Sequence, residues 1–130
     1  MREAEQRRRW YAAVTQTRER QIEQHRATVL TEQIRAWRQA DEIRAFCQAA
    51  RARTGETPVT ADEADWLDWA EAYAMQLDPL QEPLRTPVDP PAGLEVLREL
   101  AKIDVYAHPW PFDADGRWML PDDRPTDPRT

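Results

Sequence analysis

The feature that most constrains this chain is the absence of proline and glycine from residues 2–54. The segment consists mainly of alanine, arginine, glutamine and glutamate, which favour helices, so it predicts one long α-helix. At 1.5 Å per residue, a helix of about 50 residues is roughly 75 Å long, well beyond the diameter of a small domain. We therefore expect part of this helix to project or to pair with another helix.

The second half of the predicted helix has a broad apolar face. Its members recur at steps of three and four residues, namely Ile34, Trp37, Ala40, Ile43, Cys47 and Ala50, with Leu30 and Phe46 widening the face. This spacing places side chains on one side of an α-helix. The Trp- and Leu-rich segment 66–77 is best suited to cover that face by folding back antiparallel. We expect Trp37, Trp66 and Trp69 to lie mainly in the resulting core.

The first half of the helix has a thinner apolar stripe. It is made of Trp10, Val14, Ile22, His25 and Val29. A stripe this narrow is typical of a coiled-coil seam, so it predicts dimerisation. Two alternatives stay open: residues 1–28 fray in solution, or the chain is the C-terminal part of a longer protein whose remainder covers Trp10.

A second helix is marked clearly at both ends. Gly55 follows the first helix at a C-terminal capping position. Thr60 and Glu63 have the spacing of a capping box, which predicts a helix start, and the helix should stop at Asp78, before Pro79.

Prolines then predict an extended connector over residues 78–90. Asp89 can cap a third, short helix that ends near residues 104–108. Beyond it we expect an extended stretch, a turn at residues 113–116, and a loose polar tail.

The predicted fold class is all-α. A long N-terminal helix is packed by a shorter antiparallel helix, followed by a third short helix and an extended Pro- and Trp-rich tail. We expect residues 1–30 to form a projecting or coiled-coil arm, residues 31–104 the helical core, and residues 105–130 the tail.

Composition narrows the class of protein. The chain has 130 residues, a mean hydropathy of -0.86 and a single cysteine. It contains no run of about 18 apolar residues, which predicts that no membrane is spanned. The charged N-terminus lacks the apolar segment of a secretory signal, so we expect a cytoplasmic protein. One cysteine excludes a disulfide within the chain.

The inventory of reactive groups is poor. The chain has no serine, no asparagine and three scattered glycines, which argues against a serine nucleophile and a phosphate-binding loop. His25 and Cys47 are roughly 33 Å apart on one helix, too far to form a catalytic pair. His108 has no second imidazole near it in the sequence. We expect no catalytic residue, no metal and no cofactor, and therefore no enzyme.

Carboxylates at helical spacing are a further candidate site. They are Asp62, Asp65, Asp68 and Glu71. A divalent ion bridging some of them is one interpretation. We favour a solvated acidic face that lies against arginines of the first helix. The segment from Asp113 to Gly116 resembles the start of a calcium loop, but its glycine comes too early, so we interpret it as a turn.

Charge is divided unevenly along the chain. Residues 1–54 carry a net charge of +5 and residues 55–130 a net charge of -11. The basic half could contact nucleic acid, an acidic partner or the acidic half of its own chain, and we favour the last.

Several motifs resemble those of a known group of proteins. The motifs are Trp37 with Ala40, Ile43-Arg44-Ala45-Phe46, Trp66-Leu67-x-Trp69-Ala70, and Leu77-Asp78-Pro79. This pattern is similar to the C-terminal helical segment of uncharacterised bacterial proteins that have no known activity. The resemblance covers roughly residues 5–80 and implies a helical module that belongs to a larger parent chain. Met75 departs from the pattern, which places a small or polar residue there.

Two hypotheses for function follow. The first is a non-enzymatic protein–protein interaction or scaffold module that self-associates through its N-terminal helix or binds a protein partner. Its candidate partner-binding residues are Trp10, Val14, Ile22, Trp110 and Trp118. The second is a nucleic-acid-binding accessory protein. Its candidate residues are Arg7, Arg8, Arg9 and Arg18, with Trp10 and Tyr11 as aromatic neighbours.

Overall fold

The computed structural model of the chain describes residues 2–53, 59–94, 97 and 108–119. These residues form helix α1 (Arg2–Ala52), helix α2 (Ala61–Leu77) and a 3-10 turn (Pro79–Gln81). They contain no β-strand, only an isolated antiparallel bridge. The all-α prediction, with a long N-terminal helix packed by a shorter one, is confirmed. Neither α1 nor α2 is long and apolar enough to cross a membrane.

Helix α1 is continuous over 51 residues. Its continuity follows from the lack of proline and glycine, because every residue can donate its backbone amide and none is intrinsically a helix breaker. Glu3 and Glu5 lie in its first turn and Arg51 in its last, where each complements the helix dipole. The prediction of a single long helix is confirmed.

The predicted limits of α2 are confirmed too. The Thr60 hydroxyl accepts a hydrogen bond from the Glu63 amide at 3.1 Å. The Glu63 carboxylate forms an ion pair with Arg53, the residue that follows α1. At the other end the Asp78 amide donates to the Ala74 carbonyl at 3.0 Å, and Pro79 begins the 3-10 turn.

The chain divides into two compact units. The terminal unit is Met1–Ala27 with Pro87–Thr130, and the hairpin unit is Thr28–Thr86. This division differs from the expected arm, core and tail, because the start of α1 shares a unit with C-terminal residues.

Aromatic side chains form the core of the terminal unit. Its buried members are Trp10, Tyr11, Val14, Ala92, Leu97 and Phe112, and Trp110 and Trp118 pack against them. Tyr11 and Trp118 are in edge-to-face contact at 5.6 Å between ring centroids. The first turns of α1 are thus covered by the chain's own C-terminal segment, where an exposed seam was expected.

A tight turn organises that C-terminal segment. The Asp113 carboxylate accepts hydrogen bonds from the amides of Asp115 and Arg117, at 2.9 and 2.8 Å. Gly116 has a φ of +80°, a backbone conformation that side chains with a Cβ seldom adopt. The predicted turn at residues 113–116 is confirmed.

The core of the hairpin unit is small. Cys47, Leu67 and Ala70 are buried together, with Ile43 and Ala50 packed against them. Ala40 and Ala74 are also fully buried. The predicted return of α2 onto the second half of α1 is therefore confirmed, and the contact is made mainly by small side chains.

The expected core positions of three tryptophans are wrong. Trp37, Trp66 and Trp69 are exposed. The physical reason is that the helices meet mainly through alanine, cysteine, Leu67 and Ile43, which leaves the large rings beside the contact and not within it.

The third helix is described only in part. Leu94 and Leu97 are helical, and the Leu97 amide donates to the Gly93 carbonyl at 3.1 Å. Residues 95, 96 and 98–107 of the predicted helix and residues 120–130 of the predicted tail lie outside the described residues. The expected cap at Asp89 is wrong, because residues 90–93 are not helical; Asp89 instead forms an ion pair with Arg26 at 3.6 Å.

Replacing Leu67 with alanine is expected to destabilise the hairpin unit. Leu67 is buried between α1 and α2, and its truncation removes much of a small core, which costs about 2–5 kcal/mol. Urea denaturation followed by circular dichroism measures the loss. The exposed Leu80 provides the matched control, and Leu80→Ala should change stability by less than about 0.5 kcal/mol.

Replacing Gly116 with alanine is expected to destabilise the terminal unit by about 1–2 kcal/mol, because the residue has a left-handed backbone conformation. An added Cβ would also lie 2.9 Å from Cζ of Arg18. Urea denaturation followed by tryptophan fluorescence measures the effect. Asp115→Ala, in the same turn, should leave the denaturation midpoint unchanged, and equal midpoints for the two variants would contradict the prediction.

Candidate interaction surfaces

The tryptophans expected to face a partner are in contact with their own chain. Trp10 is 9% exposed and Val14 is fully buried. Trp110 and Trp118 are half-buried against the same core, and Ile22 is half-buried on α1. The expected exposure of Trp10 and Val14 is wrong, because residues after Pro87 supply an internal cover for them.

The basic residues of α1 do not form one patch. Arg7, Arg8 and Arg9 are exposed, whereas Arg18 is only 5% exposed. Arg18 donates to the Gln21 side-chain oxygen at 2.6 Å. Burial lowers the pKa of Arg18, and the negative charge of Asp89 opposes that shift. Arg18 is therefore part of the packed interior of the terminal unit.

The aromatic neighbours of these arginines are also inaccessible. Tyr11 is 1% exposed and packs edge-to-face against Trp10 at 5.0 Å. Trp10 makes a second edge-to-face contact with the His108 ring at 5.3 Å. Neither ring therefore presents a face on which a nucleic-acid base could stack.

The acidic face of α2 is partly neutralised by α1. Arg51 forms ion pairs with both Asp68 and Glu71 at 3.1 Å. Hydrogen bonds from the guanidinium to these two carboxylates raise the pKa of Arg51. The prediction that acidic residues of α2 lie against arginines of the first helix is confirmed for Asp68 and Glu71. Asp62 and Asp65 form no ion pair with any residue that the structure describes.

Asp78 links the end of α2 to α1. One carboxylate oxygen accepts from the Leu80 amide at 2.9 Å, and the other accepts from Arg44 at 2.8 Å. Both hydrogen bonds lower the pKa of Asp78, the bond from the Leu80 amide more strongly. The residue thus holds the 3-10 turn and the interhelical contact together.

Three aromatic rings form a stack on the surface of α2, which we call the aromatic ladder: Trp66, Trp69 and Tyr73. Trp66 and Trp69 are 5.3 Å apart between centroids and 5° from parallel, and Trp69 and Tyr73 are 5.2 Å apart and 7° from parallel. The three side chains are 59%, 56% and 37% exposed. The ladder is therefore a preformed, parallel aromatic surface in contact with solvent.

A second exposed apolar surface lies on α1. We call it the α1 stripe, and it consists of Leu30, Ile34 and Trp37. Their spacing of four and three residues places them on one side of the helix. A surface depression of about 540 Å³ runs beside the stripe. It is lined by Thr31, Ile34, Arg35, Arg38, Gln39 and Glu42. Because one helix supplies the whole lining, the depression is open surface and not an enclosed ligand cavity.

Metal-binding and nucleophilic groups are not brought together in the described part of the chain. No three His, Cys, Asp or Glu residues there are grouped as they would be to hold a metal ion. Cys47 is a buried free thiol between the helices. His108 packs against Trp10.

Sequence reasoning missed both exposed apolar surfaces, although α2 contained a signal for the ladder. Residues 67, 70, 74 and 77 form one apolar stripe, whereas 66, 69 and 73 form another. A short helix with two apolar stripes can bury only one of them against a single neighbouring helix. The stripe with the smaller side chains makes the contact here.

Comparison with protein-family models, curated proteins and solved structures gave no match for this chain. The resemblance to uncharacterised bacterial helical proteins stays a prediction.

Replacing Asp78 with asparagine is expected to lower the denaturation midpoint at pH 7, because the ion pair with Arg44 is lost. The folded-state pKa of Asp78 is depressed, so its stabilising effect is present above the unfolded pKa of about 3.9 and is lost as pH falls below it. The difference in denaturation midpoint between wild type and Asp78→Asn should therefore narrow as pH falls below about 3.9. Urea denaturation at a series of pH values measures it.

The matched control is Glu82→Gln at the exposed residue after the 3-10 turn, which should leave the midpoint unchanged at pH 7. A gap between wild type and Asp78→Asn that stays constant below pH about 3.9 would contradict the charge-based explanation.

Proposed function

We propose that this protein is a non-enzymatic helical interaction module that self-associates through α1. The observation that carries the proposal is the inverted apolar distribution of the hairpin unit. Its buried positions are filled mostly by alanine and cysteine, while its largest apolar side chains face solvent. The outward-facing side chains include Leu30, Ile34, Trp37, Phe46, Trp66, Trp69 and Tyr73.

This distribution is unfavourable for an isolated unit. Each square ångström of apolar surface removed from water stabilises a contact by about 25 cal/mol, so large exposed side chains represent binding energy that has not been used within the chain. Single exposed apolar residues are common on proteins, but grouped ones mark interaction sites. The α1 stripe and the aromatic ladder are both groups of this kind.

The α1 stripe suits pairing with a second copy of the same helix. Its spacing of four and three residues is that of one coiled-coil heptad. In a twofold antiparallel pair whose axis passes near Ile34, Leu30 of one protomer lies opposite Trp37 of the other, and the relation is reciprocal. A large ring then meets a smaller aliphatic side chain at both ends of the contact.

Self-association is tested by sedimentation velocity over a series of protein concentrations. The wild type is expected to dimerise. Ile34→Glu should weaken the dimer at least about tenfold, because it places two carboxylates near the axis of the pair. Circular dichroism should show unchanged helix content, since Ile34 is exposed.

Phe46→Glu is the matched control. Phe46 is an apolar residue of α1 that is 61% exposed and lies outside the α1 stripe, so its replacement should leave dimerisation intact. A wild type that stays monomeric throughout, or two variants that weaken the dimer equally, would overturn self-association through the stripe.

The alternative function is nucleic-acid binding through Arg7, Arg8 and Arg9, which are exposed on consecutive positions of α1. Arg18 and the two aromatic neighbours are buried, so this function has less support. Fluorescence anisotropy with labelled oligonucleotides at low salt tests it, because a phosphate-driven site must bind and must weaken steeply as salt rises.

A further inference from the structure

We propose that the aromatic ladder of α2 binds an arginine-bearing segment of a partner protein. The inference rests on the proposed function of the hairpin unit as an interaction module. It names the chemical class of a partner for the ladder. This surface is distinct from the α1 stripe, through which the chain is proposed to self-associate.

The geometry of the ladder suits a flat cation. Trp69 stacks with Trp66 and with Tyr73, so the free indole face of the ladder is the outer face of Trp66, which is 59% exposed. A guanidinium group is planar, stacks on aromatic rings and keeps its charge at any physiological pH. Its attraction to the negative face of an indole is stronger than the attraction to the other aromatic side chains.

The negative charge around the ladder favours a positively charged ligand. Helix α2 contains five acidic residues and no basic residue. Two of the carboxylates form ion pairs with Arg51 of α1, and a third forms an ion pair with Arg53, the residue that follows α1. The other two belong to Asp62 and Asp65, which form no ion pair with the residues that the structure describes. The surface is therefore negative where it is not already neutralised, which favours a basic segment over phosphates or an acidic peptide.

The two remaining carboxylates are placed beside the rings. Asp62 is four residues before Trp66, and Asp65 is four residues before Trp69. Residues separated by four positions are neighbours on a helix surface. The outer face of Trp66 thus has the Asp62 carboxylate one turn away, so an arginine can stack on that face while its edge donates hydrogen bonds to the acid.

The repeat of this pair sets the spacing of the ligand. The two ring-and-carboxylate pairs are three residues apart along α2, which corresponds to about 4.5 Å along the helix axis. A helical partner with arginines one turn apart presents guanidinium groups at a comparable interval. One guanidinium would then stack on the outer face of Trp66, and the next would lie beside the Asp65 carboxylate.

The test uses an alanine-based helical peptide that carries arginines one turn apart, titrated into the full chain and followed by tryptophan fluorescence and calorimetry. Two matched peptides replace arginine with lysine or with citrulline, which keeps the shape of arginine but has no charge. The arginine peptide is expected to bind about fivefold or more tightly than the lysine peptide, and the citrulline peptide should not bind.

Two variants examine the two parts of the surface. Trp66→Leu removes the indole with the free face and should weaken binding about tenfold, and Asp65→Asn should weaken it about threefold with a smaller dependence on salt. Their matched controls are Phe46→Leu and Asp41→Asn, an exposed ring and an exposed acid of α1 that lie outside the α1 stripe, which should leave the peptide affinity unchanged.

Several outcomes would overturn the inference. They are no binding of the arginine peptide to wild type, equal affinity for the arginine and lysine peptides, or unchanged affinity in Trp66→Leu. If Trp66→Leu abolishes self-association while no peptide binds, a second copy of the chain occupies the ladder and the inference is wrong. If no peptide binds but the dimer that depends on Ile34 forms, the inference about the ladder is wrong and the proposed self-association is supported. If neither peptide binding nor dimerisation is detected, both proposals are wrong.

Discussion

The close contact between α1 and α2 is the interaction on which the hairpin unit depends. Alanine and cysteine side chains make most of it, with Leu67 and the partly buried Ile43 as its larger members. Small residues allow the helix backbones to approach each other, so bulky side chains on neighbouring positions are displaced to the flanks. The same choice of residues therefore produces a modest core and a surface rich in exposed rings, and Arg44 and Arg51 stabilise the contact from its edges.

In the terminal unit, the start of the same helix is packed in a different way. Large aromatic residues are buried there, and the cover comes from residues far away in the sequence. The buried guanidinium of Arg18 is accommodated because Gln21 accepts its hydrogen bond, and Gln21 in turn donates to the Pro91 carbonyl at 3.2 Å. A polar chain of contacts thus joins α1 to the C-terminal segment beside the aromatic core.

Local structure could be predicted from the sequence, whereas the choice of core residues could not. The extent of α1, the Thr60 cap and the end of α2 at Asp78 are set by neighbouring residues and short-range hydrogen bonds. The fit between the two helices decides which apolar stripe of α2 faces α1. The spacing of apolar residues in the sequence does not determine that fit. The cover over Trp10 depends on residues about 80 to 100 positions away, and loop closure over such lengths leaves no local pattern. For the same reasons, the sequence predicted that acidic residues of α2 lie against arginines of α1, as Asp68 and Glu71 do with Arg51. It did not predict the aromatic ladder.

Cys47 has a consequence that concerns how the hairpin unit can be observed. It is the only cysteine of the chain and its side chain is completely enclosed between the two helices, with its sulfur 3.9 Å from the Leu67 carbonyl. A thiol reagent can reach it only when the helices separate, so the labelling rate reports how often that separation occurs. The native chain thus contains a chemical sensor of helix opening that needs no engineered label.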